Sequence, residues 1–206
     1  MSNTNKAFGM RFVGMLTGGA DKVSMRRYRL PASASSALYI GDPVMRLTSS
    51  SILTSNTTPS LNQQEGLEYI TRATGTTGTM MLGVVAGFAF DPTNLASNYA
   101  VSAYERDVFV IDDPNALFEI QADVTGIAYT DLGKNCCVTM TAGSTTTGIS
   151  AVVATTPAAS AAYPLLIVGW SKDPKNDITS AAYVKVIVKI NNHQLVLGAN
   201  YAALGV

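Results

Sequence analysis

The chain reads as an all-β protein, a small β-barrel or sandwich core with extended N- and C-terminal arms. Three observations predict this. Roughly eight to ten short apolar or alternating runs follow one another, each bounded by Gly, Pro, Asn or Asp. No segment carries the 3.6-residue period of an amphipathic helix. Glycines interrupt otherwise apolar runs, as the bulges and bends of small barrels require.

Residues 1–24 lack a sustained period and are punctuated by Gly9, Gly14, Gly18 and Gly19, which reads as an arm or an irregular strand. Residues 25–30 alternate and stop at Pro31; residues 37–40 lead into Gly41-Asp42-Pro43, after which 44–47 resume as strand. Residues 48–64 are rich in Ser, Thr and Asn and read as a long exposed loop. Strand candidates follow at 67–73 and at 79–90, the latter broken by Gly83 and Gly87. Residues 107–111 and 116–122, joined by Asp112-Asp113-Pro114-Asn115, predict a β-hairpin. In its second strand Phe118, Ile120 and Ala122 would face inward, and Glu119 and Gln121 outward. A helical turn over 130–135, capped by Thr130 or Asp131, precedes strands at 136–141, 149–154 and 165–170. The cleanest strand is 183–190, with Val184, Val186, Val188 and Ile190 on one face and Lys185 and Lys189 on the other. The organisation that results is an N-terminal arm (1–24), a β-rich core (25–191) and a C-terminal tail (192–206) with almost no charge.

Composition narrows the function. Apolar residues make up 47% of the 206, enough for a buried interior without disulfides, while charged residues make up only 14%. Ordinary domains carry roughly 25% charge. Fourteen basic and fourteen acidic residues cancel, whereas free monomers usually keep a net charge. A surface of Ser, Thr, Asn, Ala and Gly suits a protein that packs against neighbours; a secreted, Ser/Thr-coated β domain is the plainer alternative. Nucleic acid is not expected as a partner, because phosphate binding needs a concentrated positive field. The basic cluster Arg26, Arg27 and Arg29 would place Arg27 and Arg29 on one strand face, Arg26 and Tyr28 on the other. Cys136 and Cys137 are adjacent and match neither C-x-x-C nor a zinc spacing, so two reduced thiols are expected. Residues 1–7 are polar, and the apolar stretch 80–90 is too short to span a bilayer. Neither secretion nor membrane insertion is therefore expected.

No catalytic constellation assembles, and no enzyme activity, metal or cofactor is expected. His193 is the only histidine, beside Asn191 and Asn192, where a backbone hydrogen-bonding role is expected. No G-x-S-x-G elbow is present. Gly126 and Gly133-Lys134-Asn135 fail as a phosphate loop, since six residues separate the glycines and Asn135 replaces the magnesium-binding hydroxyl. Asp112 with Asp113, and Asp173 with Asp177, sit in Asp-Pro turns where aspartate bonds its own backbone, and nothing completes a calcium shell. Asn56-Thr57-Thr58 is a glycosylation pattern without meaning unless the chain is secreted. Trp170, Tyr99 and Tyr104 are candidates for a sugar-binding face, although Trp170 follows the apolar run 165–168 and reads as core.

Several blocks, in order, carry a resemblance. They are Arg27-Tyr28-Arg29-Leu30-Pro31-Ala32-Ser33, Leu38-Tyr39-Ile40-Gly41-Asp42-Pro43-Val44, Ile70-Thr71-Arg72-Ala73 and Gly83-Val84-Val85-Ala86-Gly87-Phe88. The most specific is Val108-Phe109-Val110-Ile111-Asp112-Asp113-Pro114 running into Phe118-Glu119-Ile120-Gln121. Val168-Gly169, Asp173-Pro174-Lys175-Asn176 and Val188-Lys189-Ile190-Asn191-Asn192-His193-Gln194 complete it. From about residue 27 to 194 the chain resembles the structural cement, or decoration, proteins of tailed bacteriophages. That resemblance implies a homotrimer made in the host bacterial cytoplasm and added to the outside of a phage head. There it would bind the major capsid protein and clamp neighbouring capsomers. The expected interface residues are Arg26, Arg27 and Arg29 against acidic capsid surface, Phe8 and Phe12 on the N-terminal arm, and Tyr201 on the C-terminal tail. The alternatives are another virion component, such as a head fibre base or tail protein, and a carbohydrate-binding β-sandwich.

Overall fold

A computed structural model describes residues 3–18, 23–47, 67–91, 97–155, 157–180 and 182–196. The expected loop over 48–64, its Asn56-Thr57-Thr58 pattern and Tyr201 lie outside the described residues.

The fold is all-β. Its strands are β1 (Arg11–Met15), β2 (Arg26–Leu30), β3 (Pro43–Arg46), β4 (Ile70–Arg72), β5 (Gly83–Phe88), β6 (Arg106–Ile111) and β7 (Ala116–Gln121), followed by β8 (Asn135–Cys136), β9 (Val138–Thr139), β10 (Val153–Ala154), β11 (Leu165–Trp170) and β12 (Lys185–Ile190). The first sheet runs β1-β7-β12-β11-β8, the second β2-β6-β5-β3-β4, and β9 pairs with β10; every pairing is antiparallel. The second sheet curls until its edges meet. Arg29 of β2 bridges Tyr69 beside β4, and the Arg29 N–H donates to the Glu68 carbonyl at 3.0 Å. This near-closed barrel encloses one core, with Leu30, Val44, Ile70, Val85, Val108 and Val110 inside.

The other core lies between the barrel wall and the first sheet. Val84 of β5 and Ile111 of β6 are paired and belong to it, while their neighbours Val85 and Val110, also paired, point into the barrel. Alternation along two strands thus serves two cores, which is why both read as continuous apolar runs. From the other side come Phe118, Ile120, Ile167, Val184, Val186, Val188 and Ile190, all at most 2% exposed. Each such side chain stabilises the fold by about 1.5–3 kcal/mol through the apolar area it removes from water.

The register shifts of the long ladders fall beside Gly14, Gly87 and Gly169, as expected of bulges. Gly83 has another role: a Cβ there would lie 2.1 Å from the Ile111 carbonyl oxygen, so only glycine lets β5 and β6 approach so closely.

The structure corrects one pairing. β6 and β7 do not form a hairpin; they belong to different sheets, and Asp112-Asp113-Pro114-Asn115 carries the chain from barrel to first sheet. The turn chemistry is as expected, with the Asn115 N–H donating to the Asp113 carboxylate at 2.7 Å, but a turn of this kind does not dictate that its flanking strands pair. The helical turn is shorter and starts earlier than expected, a single 3-10 turn at Tyr129–Asp131. Neither Thr130 nor Asp131 is its N-cap, which is Ala128, because Asp131 sits at the end of the turn and reaches back to accept the Ala128 N–H at 2.8 Å.

Candidate interaction surface

The residues read as an N-terminal arm run across their own chain and end as β1, at the edge of the first sheet. This strap is anchored by side chains that bond backbone. The Asn3 amide donates to the carbonyls of Asp177, Ser180 and Ala182 at 2.9, 3.1 and 3.2 Å, and its oxygen accepts the Asp177 N–H at 2.8 Å. Gln121 of β7 accepts the Lys6 N–H at 3.1 Å and donates to the Thr4 carbonyl at 3.2 Å. Glu119, two residues earlier, pairs with Arg11 and accepts the Ser171 hydroxyl. Glu119 and Gln121 are therefore buried, at 3% and 1% exposure, and not solvent-facing as the alternation predicted. They point away from the apolar core, but the strap covers that face.

Two glycines make the crossing possible. Gly9 (φ 72°) and Gly41 (φ 91°) both adopt left-handed backbone. A Cβ on Gly9 would lie 2.6 Å from Ser150 Cβ and 2.8 Å from the Gly41 carbonyl, and one on Gly41 would lie 3.1 Å from the Phe8 carbonyl. The Met10 N–H then donates to the Gly41 carbonyl at 2.9 Å, and Met10 itself is 2% exposed. Below the crossing Asp42 is fully buried. It accepts the Tyr39 N–H at 3.0 Å, the Ser150 hydroxyl at 2.6 Å and the Arg72 guanidinium at 3.0 Å. Burial raises its pKa, and Arg72 and Ser150 pull the other way.

A cleft opens on each side of the strap. The larger, about 500 Å³, is rimmed by Lys6, Lys175, Ser144 and Tyr183 and holds the Lys185–Asp173 pair. Tyr183 (φ 57°) is the only non-glycine residue with left-handed backbone among the described residues. The smaller, about 370 Å³, is apolar and lies between β1 and β5, with Phe8, Phe12, Ile40, Ala86 and Ile149 in its walls. The two expected arm aromatics thus differ. Phe12 turns inward, edge-on to Phe118 with ring centroids 6.3 Å apart, whereas Phe8 stays at the cleft under the Arg11 guanidinium, 5.2 Å from its ring centre.

The outer side of β1 pairs with no strand among the described residues. Val13 and Leu16 are 42% and 48% exposed there.

The basic cluster is engaged within the chain. Arg26 and the Tyr28 hydroxyl both reach Asp112, at 3.3 and 2.6 Å; Arg27 and Arg29 both reach Asp107, at 3.1 and 2.7 Å. The facial division read from the sequence holds, but Arg29 is 6% exposed, leaving Arg26 and Arg27 as the reachable members. Tyr201 lies outside the described residues.

The remaining candidates have structural partners. Buried His193 accepts the Leu195 N–H on Nδ1 at 3.1 Å, and burial lowers its pKa to about 4. Asp173 and Asp177 accept backbone N–H groups of Lys175 and Thr179, each at 3.0 Å. Among the described residues no three His, Cys, Asp or Glu side chains are grouped to hold a metal, and no helix is long and apolar enough to cross a membrane. Cys136 and Cys137 are free thiols. Tyr99 stacks on Tyr39, while Trp170 packs half-buried on the core and stacks on the 69%-exposed Tyr129.

Asn3, Glu119, Gln121 and the pair Gly9 and Gly41 were not singled out from sequence as parts of one site. The signal present was two polar residues in a strand otherwise apolar throughout. Comparison with protein families, curated proteins and solved structures gives no match.

Proposed function

We propose that this chain is a structural, non-catalytic subunit of a virion: a cement or decoration protein of the phage-head type. As a homotrimer on the capsid exterior it binds the major capsid protein and ties neighbouring capsomers together. The observation that carries the reading is the β1 edge, which pairs with no strand among the described residues and is flanked by an apolar cleft, on a protein with so few charges. A solitary soluble domain guards such an edge with charge, proline, a bulge or a covering loop; β1 carries Arg11 and the Gly14 bulge yet leaves Val13 and Leu16 exposed, which suits a protein that packs against others. Arg26 and Arg27, with side chains 65% and 42% exposed, suit acidic loops of the shell. Several weak contacts of this kind, multiplied by threefold attachment, give stable binding without a deep pocket.

The test is cosedimentation of the purified chain with expanded heads of its cognate capsid protein. Saturable binding, with heads that resist heat or dilution better than bare ones, is the expected result. No binding to expanded or unexpanded heads would overturn the reading. The exposed Tyr129 ring stacked on Trp170 favours a second reading, a glycan-binding virion module; it requires a positive glycan array, where a cement protein is silent.

A further inference from the structure

The larger cleft beside the strap, about 500 Å³, concentrates a charge that the neutral chain as a whole does not have. Four of the fourteen basic residues, Lys6, Arg11, Lys175 and Lys185, line it, against one carboxylate, Asp173. Asp173 is paired with Lys185, and Arg11 with Glu119. Lys6 and Lys175 are exposed, and neither has a carboxylate within ion-pair distance among the described residues. Between these charges the lining is apolar, with Ala7, Phe8, Ile149 and Ala151.

The walls that carry the two lysines are fixed from within. Lys6 belongs to the strap, where its N–H is held by Gln121 at 3.1 Å. Lys175 belongs to the turn after β11, and Asn176 staples that turn to β12. The Asn176 amide donates to the Lys185 carbonyl at 2.9 Å, and its oxygen accepts the Lys185 N–H at 2.8 Å. Tyr183 borders the cleft on left-handed backbone, with its N–H on the Asp123 carbonyl at 3.1 Å. A bulky residue keeps that conformation only where its surroundings impose it, and such positions cluster at ligand-binding sites. A pre-formed cleft of this volume, apolar with a few placed charges, has the character of a binding site. Two lysines flanking an apolar lining complement a short segment with acidic side chains on either side of an apolar one. A nucleic acid would need a longer positive track, and a sugar ring more hydrogen-bonding groups in the lining. We propose that this cleft binds an acidic, apolar-centred peptide segment of a partner protein, with Lys6 and Lys175 receiving its carboxylates. The site is separate from Arg26 and Arg27, and the proposal does not require the partner to be a capsid protein.

The test is fluorescence anisotropy with the full chain and the end-blocked peptide Asp-Glu-Leu-Asp-Glu, beside its neutral counterpart Asn-Gln-Leu-Asn-Gln. Saturable binding of the acidic peptide alone, weakened by salt, is expected. Lys6→Glu combined with Lys175→Glu should weaken it about tenfold or more, with the β-sheet circular dichroism unchanged. Arg26→Gln combined with Arg27→Gln should leave it as it is. Independently of any variant, bound peptide should slow amine-reagent labelling of Lys6 and Lys175, but not of Lys134, beside β8 at the opposite edge of the first sheet. Equal binding of the two peptides, or none, would overturn the proposal, as would an affinity that the lysine substitutions leave intact or the arginine substitutions lower as much. Tighter binding of an oligogalacturonate or an oligothymidylate would overturn it too, by making the ligand a sugar or a nucleic acid.

Discussion

At the scale of single residues, several polar groups inside this protein hold backbone. His193 is the clearest. Its Nδ1 accepts the Leu195 N–H, which requires the neutral ring, and burial holds its pKa near 4, below the 6.5 of a free histidine. The unfolded chain takes up a proton from about pH 6.5 downward, whereas the native chain resists until about pH 4. Stability present above pH 6.5 is therefore lost as pH falls, and the loss levels off below 4, with a total on the order of 3 kcal/mol. His193→Asn, which keeps an acceptor near the Leu195 N–H, should flatten that part of the stability curve relative to the parent. Identical pH slopes for the two would contradict the assignment. The cysteines offer a second check. Burial pushes the Cys136 thiol up to about 12, and Cys137 is only half-buried. A thiol reagent at neutral pH should label Cys137 alone in the native chain, and both after denaturation. The sequence made the backbone-bonding role of His193 legible through its asparagine neighbours, but not the burial that keeps its ring neutral. It did not make Glu119 and Gln121 legible, because alternation separates two faces of a strand without saying what covers either one.

At the scale of elements, the strap is the feature that most needs three dimensions to be seen. Its anchors link residue 3 to residues near 180, and residues 4 and 6 to residue 121, separations no local pattern reveals. Asn3→Ala removes a side chain that makes four such bonds, at a cost of about 1–2 kcal/mol confined to the strap. Faster hydrogen exchange at residues 3–8, with little change in Tm, is the expected result. Gly9→Ala should act more strongly, since a Cβ must be accommodated against Ser150 and the Gly41 carbonyl on left-handed backbone. Early proteolytic cleavage within residues 3–15 would report it; a strap as protected as the parent's would contradict the crossing geometry. The strands themselves were largely legible. β12 has the expected faces, and β2 divides its arginines as alternation requires, between Asp107 and Asp112. The supposed β6–β7 hairpin failed because the same short connection can turn a chain back within one sheet or pass it to another. What decides is the second core, which demands that β6 face the barrel and β7 the first sheet.

At the scale of the whole molecule, the low charge and the open edge make one argument. A barrel packs against a sheet, among the described residues their edges are closed or bridged except at β1, and the apolar cleft lies beside that edge. Composition alone pointed to a protein that packs against neighbours, and the architecture supplies a place where it can. The claim that this chain works by subunit association is tested most directly by light scattering on the intact protein, near neutral pH and at low concentration. The account predicts the mass of three 21.6 kDa chains. A single-chain mass at every concentration would contradict it.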